Sequence, residues 1–268
     1  MIALALSPHL DDAAFSCGGT LARLAETGWR VVVATLFTRS VPDPTGFALA
    51  CQLDKGLGPE VDYMALRRAE DRDAMRGFGA EARWLDLPEA PHRRYGSPAE
   101  LFAETRPDDE AIVAEIAERV ARLVAEVAPD LILGPQAIGR HVDHVQLVRA
   151  LDRLPPVCPT LWWRDFPYTA REARPREPFA DRMHALPAVE VALDPAHAAA
   201  KRAACLAYRS QLGFQFGGEA GLDAKLAEAG TTERFRVQGN PTFVIPGLAG
   251  GENPEPTTGW NAECATLQ

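Results

Sequence analysis

Cysteine is scarce in this chain, and basic residues do not predominate. The five cysteines among 268 residues are scattered and lack C-x-x-C spacing. This distribution argues against a disulfide framework or a thiolate metal site and favours a reducing, cytoplasmic location. Acidic residues outnumber basic ones by 37 to 28, which gives a formal charge of -9. We therefore expect a small-molecule ligand and neither a nucleic-acid nor an anionic-membrane partner, because such partners bind basic patches.

Long hydrophobic runs and a dinucleotide-binding fingerprint are also missing. The apolar stretch 2–6 is too short for a signal-peptide core or a membrane span, and no Lys or Arg precedes it. We interpret it as a buried β-strand. No G-x-G-x-x-G motif follows this stretch, which counts against dinucleotide binding.

Short apolar runs alternate with segments of helical periodicity along the first half of the chain. In chain order the predicted elements are strand 2–6, helix 19–26, strand 31–37, helix 62–78, strand 83–85, helix 112–127 and strand 130–134. Repeated βα units favour a parallel sheet covered on both faces. The sequence therefore predicts an α/β fold, a Rossmann-like three-layer sandwich with a mainly parallel sheet and long active-site loops.

The remaining segments are predicted from composition. We expect one domain over 1–268, in which the Pro- and Gly-rich residues 240–268 form an irregular tail. Stretches 39–61 and 86–109 are longer than ordinary connections, as active-site loops often are. The aromatic segment 161–168 could stack on a sugar, or it could belong to the core with its polar tips hydrogen-bonded, which we prefer. The sequence leaves the oligomeric state open, a homo-oligomer included.

Two short blocks carry side chains suited to a hydrolytic metal site, PHLDD at residues 8–12 and HVDH at residues 141–144. Each block follows a predicted strand and precedes a helix. Both therefore fall at the carboxyl edge of the sheet, where open α/β folds bind their ligands. Zinc prefers imidazole and carboxylate ligands, and a catalytic zinc uses three of them and leaves a position for water.

Each block also has a simpler interpretation. Asp11 or Asp12 alone could be the N-cap of the following helix. His141 and His144, three residues apart, could lie on a solvated helix face. For the whole chain, the alternative to an enzyme is a metal-free nucleotide- or sugar-binding α/β module without hydrolytic activity. The placement of both blocks at one sheet edge favours the enzyme.

The two blocks resemble the motifs of the LmbE/PIG-L family of zinc-dependent deacetylases, which act on compounds containing N-acetylglucosamine. Members usually read A-H-P-D-D-E at the first block, then a Gly pair, and H-x-D-H at the second. Here residues 7–13 read SPHLDDA, Gly18 and Gly19 follow, and the second block is intact. Residues 67–70 resemble the R-x-x-E helix of the family, and residues 208–211 resemble a segment near its C-terminal end.

The resemblance implies the metal ligands and the substrate class. His9, Asp12 and His144 would bind Zn²⁺, although Fe²⁺ can occupy similar sites of nitrogen and oxygen ligands. The substrate would be a small N-acetylated sugar or glycoside. Leu10 and Ala13 stand where the family usually has Pro and Glu, and we expect these departures to affect the choice of substrate more than the chemistry.

The resemblance also implies the catalytic roles. Asp11 would be the general base on the metal-bound water, and His141 would polarise the carbonyl and stabilise the oxyanion. Asp143 would orient its neighbouring histidine. Arg67 is expected to bind substrate. The products would be acetate and a free amino sugar.

Overall fold

The computed structural model describes residues 1–171, 174–239 and 248–249, which contain eight strands and eleven α-helices. The strands are β1 (Ile2–Ser7), β2 (Arg30–Phe37), β3 (Glu81–Leu87), β4 (Leu131–Pro135), β5 (Thr160–Trp163), β6 (Ala188–Ala192), β7 (Thr232–Gln238) and β8 (Leu248–Ala249). The helices are α1 (Asp12–Glu26), α2 (Gly46–Leu53), α3 (Tyr63–Phe78), α4 (Pro98–Leu101), α5 (Glu110–Val127), α6 (Val142–Leu151), α7 (Tyr168–Arg171), α8 (Ala180–His184), α9 (Pro195–Ala207), α10 (Arg209–Phe216) and α11 (Glu219–Ala229). None of these helices is long and apolar enough to cross a membrane.

The strands form one sheet with the order β3-β2-β1-β4-β5-β7-β6-β8. The first five strands of this order are parallel, whereas β7, β6 and β8 continue the sheet antiparallel. Helices α1, α3 and α9 pack on one face, and α5 and α6 pack on the other. The central strands can be apolar throughout because both of their faces are covered. The predicted three-layer α/β fold with a mainly parallel sheet is confirmed.

Most predicted elements lie within a few residues of the observed ones, but two expectations need correction. The helix predicted over 19–26 begins at Asp12. The long stretches 39–61 and 86–109 are not wholly irregular, because they contain helices α2 and α4, respectively. Flanking Pro and Gly residues concealed the eight-residue helix α2. The predicted tail 240–268 lies outside the described residues except for residues 248–249, which pair with β6.

Helix α1 is kinked at Cys17, whose backbone angles (φ -136°, ψ 22°) are not helical. Just past the kink, the backbone N–H groups of Gly19 and Thr20 bond to a side chain. The buried carboxylate of Glu233, on β7, accepts both of them, at 3.0 and 2.7 Å. Lys201 donates to the same carboxylate at 2.8 Å. The second half of α1 therefore has an anionic cap from the antiparallel part of the sheet.

The glycine pair after the first block makes room for the packing around this kink. A Cβ atom on Gly19 would lie 2.7 Å from Cδ2 of Leu193 and closer still to Cδ1. A Cβ atom on Gly18 would lie 3.0 Å from the ring of Phe78. The pair thus allows neighbouring side chains to approach the helix backbone closely.

Candidate active site

Both sequence blocks lie at the carboxyl edge of the parallel strands, as predicted. The first occupies the connection from β1 to α1, and the second occupies the connection from β4 to α6. Asp11 occupies the N-cap position of α1, but its side chain makes no capping hydrogen bond, and His141 and His144 are buried. The simpler interpretations, a capping role for the Asp11 side chain and a solvated histidine face, therefore do not describe this structure.

Three histidines converge between the two connections. One ring nitrogen from each of His9, His141 and His144 lies within 4.8 Å of the other two. The carboxylate of Asp12 lies among them, with its Oδ2 atom 3.2 Å from Nδ1 of His9 and 3.1 Å from Nε2 of His144. Such a group of buried imidazole and carboxylate donors can hold a metal ion.

In two of these rings, the nitrogen that does not face Asp12 is hydrogen-bonded to another carboxylate. Nε2 of His9 lies 2.9 Å from Oδ2 of Asp143, and Nδ1 of His144 lies 2.7 Å from Oδ1 of Asp165. A carboxylate can only accept, so each of these nitrogens carries the proton. The other nitrogen of each ring then presents a lone pair towards Asp12.

The lone pairs of the two rings thus face Oδ2 of Asp12 with no ring hydrogen between them, unless both rings take up a second proton. The same oxygen accepts the backbone N–H of His9 at 2.8 Å. Nε2 of His144 is buried and makes no hydrogen bond with a described residue. This arrangement requires positive charge, and a divalent cation supplies it without protonating the rings. The chemistry of the donor set therefore fits a metal ion.

The pKa values of these groups show the same requirement for positive charge. Burial alone would lower the pKa of His144, but Asp12 and Asp165 outweigh burial and raise the pKa to about 9. Burial would raise the pKa of Asp12, yet His144 and His9 hold the pKa of this carboxyl well below its usual range. The site is therefore built to stabilise an ionised Asp12 beside a cationic partner.

The Asp11 carboxylate is held on one side only. Its Oδ1 atom accepts a hydrogen bond from Arg67 at 3.0 Å, whereas its buried Oδ2 atom has no hydrogen-bond partner among the described residues. Arg67 also donates to Glu89 at 2.7 Å. Burial raises the pKa of Asp11 despite the nearby Arg67 guanidinium. The free oxygen of this carboxylate is available to accept a proton.

Arg67 lines the same cavity, but it is 4% exposed and both of its terminal nitrogens are engaged by carboxylates. Its predicted contact with substrate remains a prediction. What the structure shows directly is an arginine that fixes the orientation of Asp11. Glu89, which follows β3, had not been singled out in the sequence, although it too comes after a strand at this edge.

His141 occupies the N-cap position of α6, where its Nδ1 atom accepts the backbone N–H of Asp143 at 3.3 Å. The proton of a neutral ring is then on Nε2, which becomes a donor. Burial, followed by the proximity of His9, lowers the pKa of His141 well below its usual value. His141 is thus suited to donate a hydrogen bond as a neutral imidazole.

Asp143 links the site to a buried arginine. One of its oxygens accepts from His9, which belongs to the other block, and the other lies 2.8 Å from Arg93. Arg93 in turn donates to both oxygens of Asp109 at 2.9 Å. The predicted orienting role of Asp143 therefore concerns a histidine 134 residues away along the chain.

Sequence reasoning also missed Asp165. It follows β5 and is 1% exposed, and its second oxygen accepts the backbone N–H of Ile138 at 2.9 Å. Its position in the sequence could have identified it, because an acidic residue just after a buried parallel strand falls at the same sheet edge as the two blocks.

The aromatic segment 161–168 divides between core and cavity. Trp162 and Trp163 are buried; the indole N–H of Trp162 donates to Gln238 at 3.0 Å, whereas that of Trp163 has no described partner. The preferred interpretation, core with its polar tips hydrogen-bonded, thus holds for Trp162 but not for Trp163. Tyr168, at the end of the segment, lines the cavity together with His9, Asp12 and His141.

The site opens into a cavity of about 230 Å³. Its lining includes the polar side chains of Asp11 and His141. It also includes apolar side chains, those of Phe47 and Ala48 from α2 and of Phe102 after α4, whose ring meets the His141 ring edge-on at a centroid distance of 5.4 Å. The cavity can therefore hold a small molecule that has both polar and apolar surfaces.

Comparison with known proteins agrees with this geometry. The model of the PIG-L family, described as GlcNAc-PI de-N-acetylase, matches residues 4–154. The 2'-N-acetylparomamine deacetylase of Streptomyces fradiae is 35% identical over 191 residues, which cover 66% of this chain and 65% of that protein. The enzyme of the same name from Niallia circulans is 30% identical over 266 residues, covering 88% of this chain and 90% of its own.

Solved structures show the same fold. Teicoplanin deacetylase Orf2 in a zinc-inhibited form superposes with a TM-score of 0.73 at 26% identity, covering 89% of this chain and 98% of its own. The A40926 pseudoaglycone deacetylase Dbv21 superposes with a TM-score of 0.71 at 29% identity, covering 88% of this chain and 96% of its own. With the fold, both sequence blocks and the family match in agreement, this chain belongs to the PIG-L family.

Proposed function

We propose that this protein is a metal-dependent amide hydrolase that removes the acetyl group from an N-acetylated amino sugar or glycoside. The relatives named above are deacetylases of 2'-N-acetylparomamine, teicoplanin and A40926 pseudoaglycone, which supports this class of substrate. The observation that carries the proposal is the meeting of His9, His144 and Asp12 with no ring hydrogen between them, beside a free oxygen of Asp11.

In this proposal His9, Asp12 and His144 hold the ion. Asp12 lies between the free nitrogens of the two rings, whereas Nδ1 of His141 already accepts a backbone hydrogen bond. Zn²⁺ suits two imidazoles and one carboxylate, and Fe²⁺ is the alternative for the same donors. When bound, such an ion lowers the pKa of a coordinated water towards about 7 and polarises a carbonyl oxygen.

Asp11 is proposed as the general base. Its Oδ2 atom takes a proton from the attacking water while the water oxygen bonds to the amide carbonyl carbon. The hydrogen bond from Arg67 to Oδ1 restrains the carboxylate so that Oδ2 stays free. Burial keeps bulk water from competing for this oxygen, and the raised pKa of Asp11 makes it a stronger base.

His141 is proposed to stabilise the negative charge that develops on the carbonyl oxygen. Its Nε2–H can donate into the cavity because Nδ1 is held by the backbone N–H of Asp143. Collapse of the tetrahedral intermediate then breaks the C–N bond. The leaving nitrogen receives the proton that Asp11 took from the water, and acetate and a free amine are the products.

The test combines metal content with amine release. Protein purified without chelator and loaded with zinc is assayed with N-acetylglucosamine and 2'-N-acetylparomamine, and the primary amine is quantified. We expect about one zinc per chain. We expect Asp11→Asn to retain the metal and lose about 10²- to 10⁴-fold in rate. His144→Ala should lose the metal as well as the activity.

Two outcomes would contradict the proposal. Full activity in Asp11→Asn would remove the general base from the mechanism. Failure of the wild-type protein to bind zinc or iron, combined with sugar binding without hydrolysis, would favour the alternative of a metal-free binding module.

A further inference from the structure

Tyr168 begins α7 and lines the same cavity as Asp11, Asp12 and His141. Its ring stands edge-on to that of His144, with the ring centroids 5.6 Å apart and the planes at 89°. The ring of Phe102 lies 5.9 Å away on the cavity side of the site. Tyr168 therefore lies next to the metal-site residues without belonging to either sequence block.

The backbone before the second block leaves room for this ring. Gly139 has a φ of +91°, and a Cβ atom there would lie 2.5 Å from Cγ and 2.7 Å from Cβ of Tyr168. Only glycine combines this backbone conformation with such close contact. The near end of the Tyr168 side chain is thus packed against the connection from β4 to α6, and the hydroxyl lies at the far end.

The Tyr168 hydroxyl has no hydrogen-bond partner in the part of the chain that the structure describes. The hydroxyls of the other three tyrosines all have partners. Tyr63 accepts from Gln211 at 3.0 Å, and Tyr95 and Tyr208 donate to aspartates, Asp109 at 3.1 Å and Asp71 at 2.8 Å. The Tyr168 side chain is half-buried, and its free hydroxyl, which can both donate and accept, is available to a ligand in the cavity.

We propose that Tyr168 is a further catalytic residue of the hydrolysis proposed above, donating a hydrogen bond to the substrate amide oxygen as that oxygen becomes negative. This inference rests on the proposed function. As the water oxygen bonds to the carbonyl carbon, the π pair of the C=O bond moves onto oxygen and creates the charge that Tyr168 and His141 share. Tyr168 keeps its proton throughout, and the C–N bond then breaks as described above.

A catalytic role of the Tyr168 hydroxyl and a stacking role of its ring predict different effects of substitution. Tyr168→Phe keeps the ring and removes only the hydroxyl. If the hydroxyl stabilises the transition state, kcat falls by about 10²-fold while KM changes by less than about threefold. If the ring only stacks on a sugar, Tyr168→Phe retains the wild-type kcat, and Tyr168→Ala raises KM.

The experiment measures kcat and KM for zinc-loaded wild type and Tyr168→Phe on the best N-acetylated substrate, together with zinc content and the midpoint of thermal unfolding. Tyr208→Phe is the matched control, because it removes a buried phenol hydroxyl that does not line the cavity. We expect the control to lower the unfolding midpoint and keep kcat. We expect Tyr168→Phe to lower kcat and to keep the unfolding midpoint and the zinc content of wild type.

The outcomes separate this inference from the function on which it rests. A wild-type kcat in Tyr168→Phe, with an active wild-type enzyme, overturns the role of Tyr168 and leaves the proposed function intact. A wild-type protein that binds zinc but hydrolyses no N-acetylated sugar overturns both.

Discussion

Removal of the Asp165 carboxylate should weaken metal binding although Asp165 is not itself a proposed ligand. Its Oδ1 atom holds Nδ1–H of His144 at 2.7 Å, which leaves Nε2 as the nitrogen that faces Asp12. Its Oδ2 atom accepts the backbone N–H of Ile138. In Asp165→Ala the His144 ring is free to rotate or to move its proton to Nε2, where the proton would compete with the metal.

The magnitude follows from these two contacts. Loss of a carboxylate that orients a metal-binding histidine typically costs about 10- to 100-fold in metal affinity, or about 1.4 to 2.7 kcal/mol. The Ile138 N–H group is buried and loses its acceptor, which costs about 1 to 3 kcal/mol of folding free energy. Asp165→Asn should lie between wild type and Asp165→Ala, because one amide oxygen can accept from His144 or from Ile138 but not from both.

The assay is competition for zinc against a chromogenic chelator, with thermal unfolding measured in parallel. Asp194→Ala is the control, because Asp194 caps α9 away from the site by accepting the backbone N–H of His197. It should lower the unfolding midpoint without changing zinc affinity. Zinc affinity in Asp165→Ala equal to that of wild type would refute the reasoning, whatever happens to stability.

Further substitutions test the packing and the electrostatics. Gly19→Ala forces its new methyl group onto Leu193 and should cost about 1 to 3 kcal/mol in a denaturant titration. Gly77→Ala, in an exposed helical position with open space around it, should instead stabilise by about 0.5 to 1 kcal/mol; equal effects would contradict the close approach at Gly19. Burial raises the pKa of Asp71 from 3.8 to about 6, so ionisation of this carboxyl should destabilise the fold progressively as pH rises from about 4 to 6. The difference in unfolding free energy between Asp71→Asn and wild type should therefore shift in favour of the variant by about 2 kcal/mol between pH 4 and 7, whereas a constant difference would be evidence against a perturbed Asp71.

The sequence was sufficient to predict the parallel half of the fold because the signals there are local. The runs 2–6, 31–37 and 130–134 are apolar, of strand length and separated by helical periodicity, and each corresponds to an observed strand. Placement of both blocks at one edge followed from the rule that parallel strands end together. That rule needs no knowledge of side-chain contacts, so the three His and three Asp residues of the two blocks could be expected at one place.

Contacts between distant parts of the chain could not be predicted in this way. The pairing of Asp143 with His9, and of Arg67 with Asp11, depends on the register of neighbouring strands and on the rotamers of buried side chains. Asp165 stands in an aromatic segment whose composition suggested core. Hydrophobic patterning records which residues are buried, but it does not record which polar partner each buried charge will find.

The anionic cap on α1 limits how far the chain can be truncated and which of its segments can be exchanged with those of relatives. The family match ends at residue 154, yet Glu233, which caps the second half of α1, comes from β7, and Asp165 and Tyr168 follow β5. A chain ended at the boundary of the family match would strip the first helix of its counter-charge and His144 of its proton acceptor. The part of the chain after residue 154 therefore supports the candidate site, and an exchange of segments between relatives would have to carry the parts before and after residue 154 together.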